Sequence, residues 1–350
     1  MIDKLRRRKL NTVYISCPAK SYTGGPTLAH QLCYVLNKNG INAKMWYFGN
    51  RIKVNKENAV HPNYLQYNLQ FVIENPEDIS SNTIVAIESN VGILRKFHHA
   101  KKMIWWMSVD NYFLNMTSFI CLLRKRYLGF KPSIDYCKKY RNKSKYRVIF
   151  ESDILHLVQS EYARLFLLDE GISKDKILDL SDYLEDELIN NIENTEVDKK
   201  NRILYNPKKG FSFTEAIMRA VPEFEWTAIE NMTKQQVAEL LCASKLYIDF
   251  GNHPGKDRFP REAVICGCCI ITGRNGAAGN KIDIPIDDSY KFENDLENIP
   301  KIADKIRYVI NNYDSCVKDF DEYKSIIRNE KEKFIHQALS IFSDKKGEIK

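Results

Sequence analysis

The chain predicts an α/β protein made of two doubly wound, Rossmann-type parallel-sheet domains. Three observations lead there. Short β-rich runs alternate with segments of helical period along most of the sequence, the pattern of strands joined by crossover helices. The 350 residues exceed what one hydrophobic core usually serves. Several of the strands run directly into loops carrying glycine, the junction that doubly wound folds use for ligands.

The elements follow in order. Residues 12–17 form a β-rich run, then comes a loop with Gly24-Gly25-Pro26, and 27–37 have helical spacing closed by Gly40. Strands are expected at 43–48, 83–87 and 103–108, with a helix over 90–98. An aromatic and basic insertion occupies 111–147, after which 154–159 reads as strand, 161–169 as helix ended by Gly171, and 177–180 as strand. This first domain spans 1–182. Residues 183–200 are acidic and poor in large apolar groups and read as the linker. A second domain, 201–320, repeats the alternation with strands at 202–205, 225–229, 245–250 and 268–272 and helices at 212–220, 234–244 and 260–266. The tail, 321–350, is helical in pattern and is expected to pack back toward the first domain.

Composition narrows the class. With 44% hydrophobic and 28% charged residues and a mean hydropathy of −0.42, collagen-like, disordered and disulfide-scaffold chains are excluded. No apolar run reaches the ~18 residues of a membrane span, and the basic N-terminus lacks the apolar stretch of a signal peptide. The nine cysteines lack the paired spacing of a zinc site, which fits a reducing, cytoplasmic setting and buried thiols for Cys266, Cys268 and Cys269. The net charge of +8 is uneven. Residues 1–10 carry +4 and 124–147 carry +9, so the remainder of the chain is acidic.

Four loops after strands hold the candidate chemistry. In the first, Gly24 and Gly25 let a ligand approach the backbone, and the following helix turns its amides and dipole toward an anion. The second, Tyr205 to Gly210, sets Lys208 and Lys209 beside a glycine, where a diphosphate would be met. The third runs from Asp249 through Asn252, His253, Lys256 and Arg258 to Glu262, more polar groups than a scaffold turn requires. The fourth, around Gly276, could wrap a phosphate or a sugar hydroxyl.

With these residues in view the chain resembles the GT-B glycosyltransferases, nucleotide-sugar-dependent enzymes like the family 4 and family 1 bacterial transferases, with two Rossmann domains facing an interdomain cleft. The Gly24-Gly25 loop is similar to their N-terminal glycine loop, and Ser160-Glu161-Tyr162 to the segment closing that domain. Lys208-Lys209-Gly210 resembles the basic turn that meets the donor diphosphate. Glu262-Ala263 followed by Gly267 resembles the segment whose glutamate bonds the nucleotide ribose. Position 254 is proline where many such enzymes carry a second glutamate. The pair His253-Pro254 is similar to sialyl- and Kdo-type transferases, which implies a CMP-sugar as the lesser alternative to a UDP-, GDP- or TDP-sugar.

The resemblance implies transfer of a sugar to a glycan or lipid-linked acceptor, as in surface polysaccharide assembly. Lys209 and Arg258 would stabilise the leaving phosphate without a metal or other cofactor. No Asp-x-Asp pair follows a strand, in keeping with that. For an inverting course the base candidates are Glu88 and Asp110, each just past a strand of the first domain. Arg124, Lys125 and Arg126 beside Tyr127 and Phe130 suit an anionic membrane surface, with a peripheral position on the inner face of the cell membrane as the expectation, in preference to nucleic acid, and a simply solvated face is the other reading. A nucleotide-sugar epimerase and a non-catalytic nucleotide- or glycan-binding module are the rival readings.

Overall fold

The computed structural model describes residues 11–49, 53–115, 145–185, 189 and 197–343. The basic tip, 1–10, and most of the basic insertion, including Arg124, Lys125 and Arg126, lie outside them, as does most of the expected linker. The chain divides into two compact units. One holds residues up to 159, 163–180 and those from 334 onward; the other holds 160–162 and 181–333.

The first unit is a seven-stranded, wholly parallel sheet. Its strands are β1 (Val13–Pro18), β2 (Ala43–Phe48), β3 (Phe71–Val72), β4 (Thr83–Ile87), β5 (Lys101–Trp106), β6 (Ile154–Val158) and β7 (Ile177–Asp179), in the order β3-β2-β1-β4-β5-β6-β7. β4 is buried along its whole length, as a central parallel strand covered on both faces must be, and its sequence is correspondingly apolar without alternation. The helix Gly24–Lys38 covers one face through Leu28, Leu32 and Leu36, four residues apart and so on one stripe. Gly40 stops it at φ 78°. The expected helix over 90–98 is instead a 3₁₀ stretch, Glu88–Lys96, broken at Asn90, whose short polar side chain favours local turns over helix continuation. Phe334 stacks on Trp105, and the Trp105 indole donates to the Leu180 carbonyl at 2.9 Å.

The second unit is a five-stranded parallel sheet of β8 (Lys200–Tyr205), β9 (Glu225–Ala228), β10 (Ser244–Asp249), β11 (Cys269–Gly273) and β12 (Lys291–Phe292), in the order β12-β11-β10-β8-β9. Ile203, Leu246, Ile248, Ile270 and Ile271 form the sheet's part of the core, against Ile217 and Ile306 of flanking helices. Cys266, Cys268 and Cys269 are buried free thiols within it, and burial pushes the Cys268 thiol up to about 11. The segment read as linker begins inside this unit. Asp182 is buried, and Leu184 packs in the core. Asp182, expected at the end of the first domain, belongs to this unit as well and is buried by ion pairing with Arg261 rather than by apolar contact. Strands β3 and β12 escaped the sequence reading since two residues carry no readable period.

Both sheets reverse direction at one place. In the first, the chain leaves β1 toward β2 on one side and returns on the other as β4. In the second it leaves β8 toward β9 and returns as β10. The carboxyl ends of β1 and β4, and of β8 and β10, are therefore the switch points where connections part and leave a crevice. Among the described residues no helix is long and apolar enough to cross a membrane.

Candidate active site

At the switch point of the first sheet, Gly24 and Gly25 open the helix that follows β1, and Glu88 follows the last residue of β4 directly. The N-cap of that helix, Thr23, makes no side-chain capping bond. A Cβ at Gly24 would meet nothing within 4 Å, while one at Gly25 would touch Met107 Sδ at 3.4 Å. Met107 also supplies the amide that donates to Glu88 Oε2 at 3.3 Å, so the glycine loop and the carboxylate share one neighbour. Glu88 is fully enclosed. Burial pushes its carboxyl up to about 7, against the opposing hydrogen bonds from the Met107 amide and Asn111. Asp110, in the first turn of the helix Val109–Asn115 that follows β5, is 3% exposed. The structure thus gathers Gly24, Gly25, Glu88 and Asp110 at the carboxyl edge of one sheet.

At the second switch point three loops interlock through glycine. Gly210, at φ 63°, caps the helix Phe211–Ala220, and a Cβ there would overlap the Phe250 carbonyl. A Cβ at Gly251 would overlap the Lys209 side chain, and one at Gly276, φ 65°, the His253 carbonyl. The backbones of the 205–210, 249–257 and 273–279 loops therefore touch, and only glycine permits it. His253 and Gly276 form an isolated parallel bridge, with the Ala277 amide donating to the His253 carbonyl at 2.8 Å. Asn294 Nδ2 donates to the Phe250 carbonyl at 2.6 Å and ties the loop from below.

The charged groups there are paired. Lys209 Nζ lies 2.6 Å from Asp257 Oδ2. The fully buried His253 ring sits between carboxylates, Nδ1 3.1 Å from Asp257 Oδ2 and Nε2 3.5 Å from Asp249 Oδ1, contacts ionic in character rather than well-aligned hydrogen bonds. Burial opposes the imidazolium, yet the Asp249 and Asp257 charges raise its pKa. Asp257 is likewise buried, and His253 and Lys209 hold its carboxyl below the usual range. Arg258 Nε meets Glu262 Oε1 at 3.1 Å, and its Nη2 lies 3.6 Å from Glu185 Oε2. Lys208 donates its backbone amide to Asn206 Oδ1 at 3.0 Å, and Asn252 is half-buried next to Gly251.

Two residues prominent in the sequence have other surroundings. Lys256 turns to Glu330 at 2.7 Å and to the Ser181 hydroxyl at 3.1 Å. The same cluster is centred on Arg261, which is fully buried and meets Asp182 at 2.5 Å and Glu330 at 2.7 Å. Burial works against the Asp182 carboxylate, but Arg261 and Lys256 hold its pKa down. His253 is fully buried between two aspartates. Sequence reasoning missed Asp249 and Asp257 as members of the network. Their fourfold spacing around His253 was readable, but it spans a strand end, a loop and a helix N-cap, where no regular period applies. Among the described residues Asp249, His253 and Asp257 are a group whose donor atoms lie within 4.8 Å, close enough to consider for a metal ion.

No protein-family model and no curated protein matches the chain. Solved structures do. HepE from Anabaena, in complex with UDP-glucose, is 10% identical with a TM-score of 0.58, over 94% of this chain and 98% of that one. A glycosyltransferase from Rickettsia africae is 13% identical with a TM-score of 0.55, over 96% and 95%. WaaG, a glycosyltransferase involved in lipopolysaccharide biosynthesis, is 10% identical with a TM-score of 0.53, over 95% and 100%. With two parallel-sheet α/β units and these likenesses, the chain has the GT-B fold.

Proposed function

We propose that the protein is a nucleotide-sugar-dependent glycosyltransferase whose donor binds at the carboxyl edge of the second sheet. The observation that carries this is the interlocking, at a switch point, of the three second-unit loops, one of which bears Lys209 while another leads into the helix of Arg258 and Glu262. The Anabaena neighbour was solved with UDP-glucose, which supports a UDP-sugar as donor. The CMP-sugar alternative loses its support, because the histidine on which it rested is buried between carboxylates.

In this reading the Lys209 ammonium and the Arg258 guanidinium take the charge that develops on the departing nucleotide phosphate. Glu262 accepts hydrogen bonds from ribose hydroxyls, exchanging its present Arg258 contact. Transfer then needs no metal. Glu88, with its carboxyl near neutrality, takes the acceptor hydroxyl proton as the new glycosidic bond forms, and Asp110 assists in binding the acceptor. A glycan or lipid-linked acceptor fits the class of chemistry, with surface polysaccharide assembly as the setting, in line with the role of WaaG. The basic insertion would bring the enzyme to anionic lipid.

The test is nucleotide release from UDP-, GDP-, TDP- and CMP-sugars with and without glycan acceptors. Acceptor-dependent release that falls at least tenfold in both Lys209→Ala and Glu262→Ala is expected, the loss of a charge-assisted hydrogen bond in each. Interconversion of the sugar without acceptor would identify an epimerase, and binding without turnover a non-catalytic module.

A further inference from the structure

We infer that His253 is a positioning residue, which orients the Lys209 ammonium through Asp257 and does not itself touch the donor; this rests on the donor site proposed above. The geometry is a chain of alternating charge. Asp249 closes β10 and is fixed by two donors, the Tyr247 hydroxyl at 2.7 Å and the Gly251 amide at 2.9 Å. His253 bridges from Asp249 to Asp257, and Asp257 reaches Lys209. Exposure grows along the chain: the His253 side chain is 0% exposed, Asp257 19% and Lys209 32%. The buried end is rigid and the open end is the cation.

The backbone reinforces the direction. Gly276 packs on the His253 carbonyl and Gly251 on the base of the Lys209 side chain, so the backbone that carries the ring and the start of the lysine stem are held by close contacts. A metal ion is the competing occupant of Asp249, His253 and Asp257. The contacts argue against it. Asp257 already meets the Lys209 ammonium at 2.6 Å, so a divalent ion at this carboxylate would have to displace Lys209. The two ring nitrogens also address different carboxylates, whereas a single ion can take only one of them.

A buried ionic chain of this kind carries a desolvation cost that its ion pairs alone do not readily repay in stability. Its gain is placement. With His253 fixing one side of Asp257, the carboxylate has one orientation, and the lysine paired to it is held where the phosphate arrives, without reorganisation on binding. Without the ring, Asp257 loses its second partner, and the carboxylate and the lysine paired to it are free to turn together.

A double-mutant cycle on UDP binding to the full chain, measured by calorimetry, tests this. His253→Gln is expected to weaken UDP binding about 10- to 100-fold in the parent. In the Lys209→Ala background it should have little further effect, because the group it orients is gone. Asp257→Asn, at a more exposed position, should show the same dependence and covers the case in which His253→Gln fails to fold. Equal losses in both backgrounds would overturn the inference, as would stoichiometric uptake of Mn²⁺ or Zn²⁺ by the parent that His253→Gln abolishes. UDP binding that is sensitive to Lys209→Ala but unaffected by His253→Gln defeats this inference only. Absence of binding by the parent to every nucleotide defeats the donor-site reading and this one together.

Discussion

The two switch points obey one topological rule and carry opposite chemistry. The first sheet presents carboxylates: Glu88 is buried against the Met107 amide, and its carboxyl rises to about 7. The second presents cations held against carboxylates, Lys209 on Asp257 and Arg258 on Glu262. Topology thus makes crevices in both units, and side chains decide what each can do. Desolvation dominates at the first, producing a group suited to take a proton near neutrality. Ion pairing dominates at the second, producing preset positive charge. In the proposed function, the first activates an acceptor and the second holds a leaving diphosphate.

The largest effect that would break this comparison is at Glu88. Glu88→Gln should reduce transfer about 10²- to 10⁴-fold, the range for loss of a general base, with nucleotide binding unchanged. The parent should gain activity as pH rises through about 7, and the variant should lose that limb. Thermal melts give an independent reading. The folded carboxyl lies above its ordinary value of 4.5, so its contribution to stability is full below that value and lost by about pH 7. Glu88→Gln should therefore be more stable relative to the parent at pH 8 than at pH 4. If neither the rate nor the melts depend on pH in this way, the carboxylate is not the desolvated group described.

Next in size is Arg261. Replacing it with Met leaves Asp182 and Glu330 in the interior with Lys256 as the cation beside them, and breaking a buried pair of this kind typically costs about 3–5 kcal/mol. Urea denaturation of the second unit's signal should register it. Because Asp182 is held below the usual carboxylate range, its contribution to stability is present above that range and lost as pH falls below it. The smallest effect separates the glycines. Gly24→Ala has open space, and at the helix start it should change stability by less than about 1 kcal/mol. Gly276→Ala, at φ 65° and against the His253 carbonyl, should be clearly destabilising. Equal melting shifts for the two would contradict the tight second-unit packing.

Much of the fold was readable. Apolar runs such as Thr83–Ile87 and Cys269–Gly273 are buried end to end and are plain in the sequence, since a strand covered on both faces needs no polar positions. Glu88 and Lys209 were readable for a related reason: each follows a strand closely, and strand ends are legible. Glu262 lies in the helix Arg258–Ile265 and was readable through the Glu-Ala segment and Gly267 instead. Asp249, Asp257, Asp182 and Glu330 were not. Their neighbours are charges that lie far along the chain or across a loop, and an aspartate beside an arginine in space looks in sequence like any solvated acid.

By itself, the sequence determined the two α/β halves, the loops at which ligands would gather and the types of charge available there, because hydrophobic period and glycine placement are local. Tertiary structure alone decided which of those charges remain open. It turned Lys256 to Glu330 and enclosed His253 between aspartates, while leaving Lys209 a third exposed at the crevice. The reason is physical: the cost of burying a charge is settled by partners brought from distant elements, and only the packed fold brings them together.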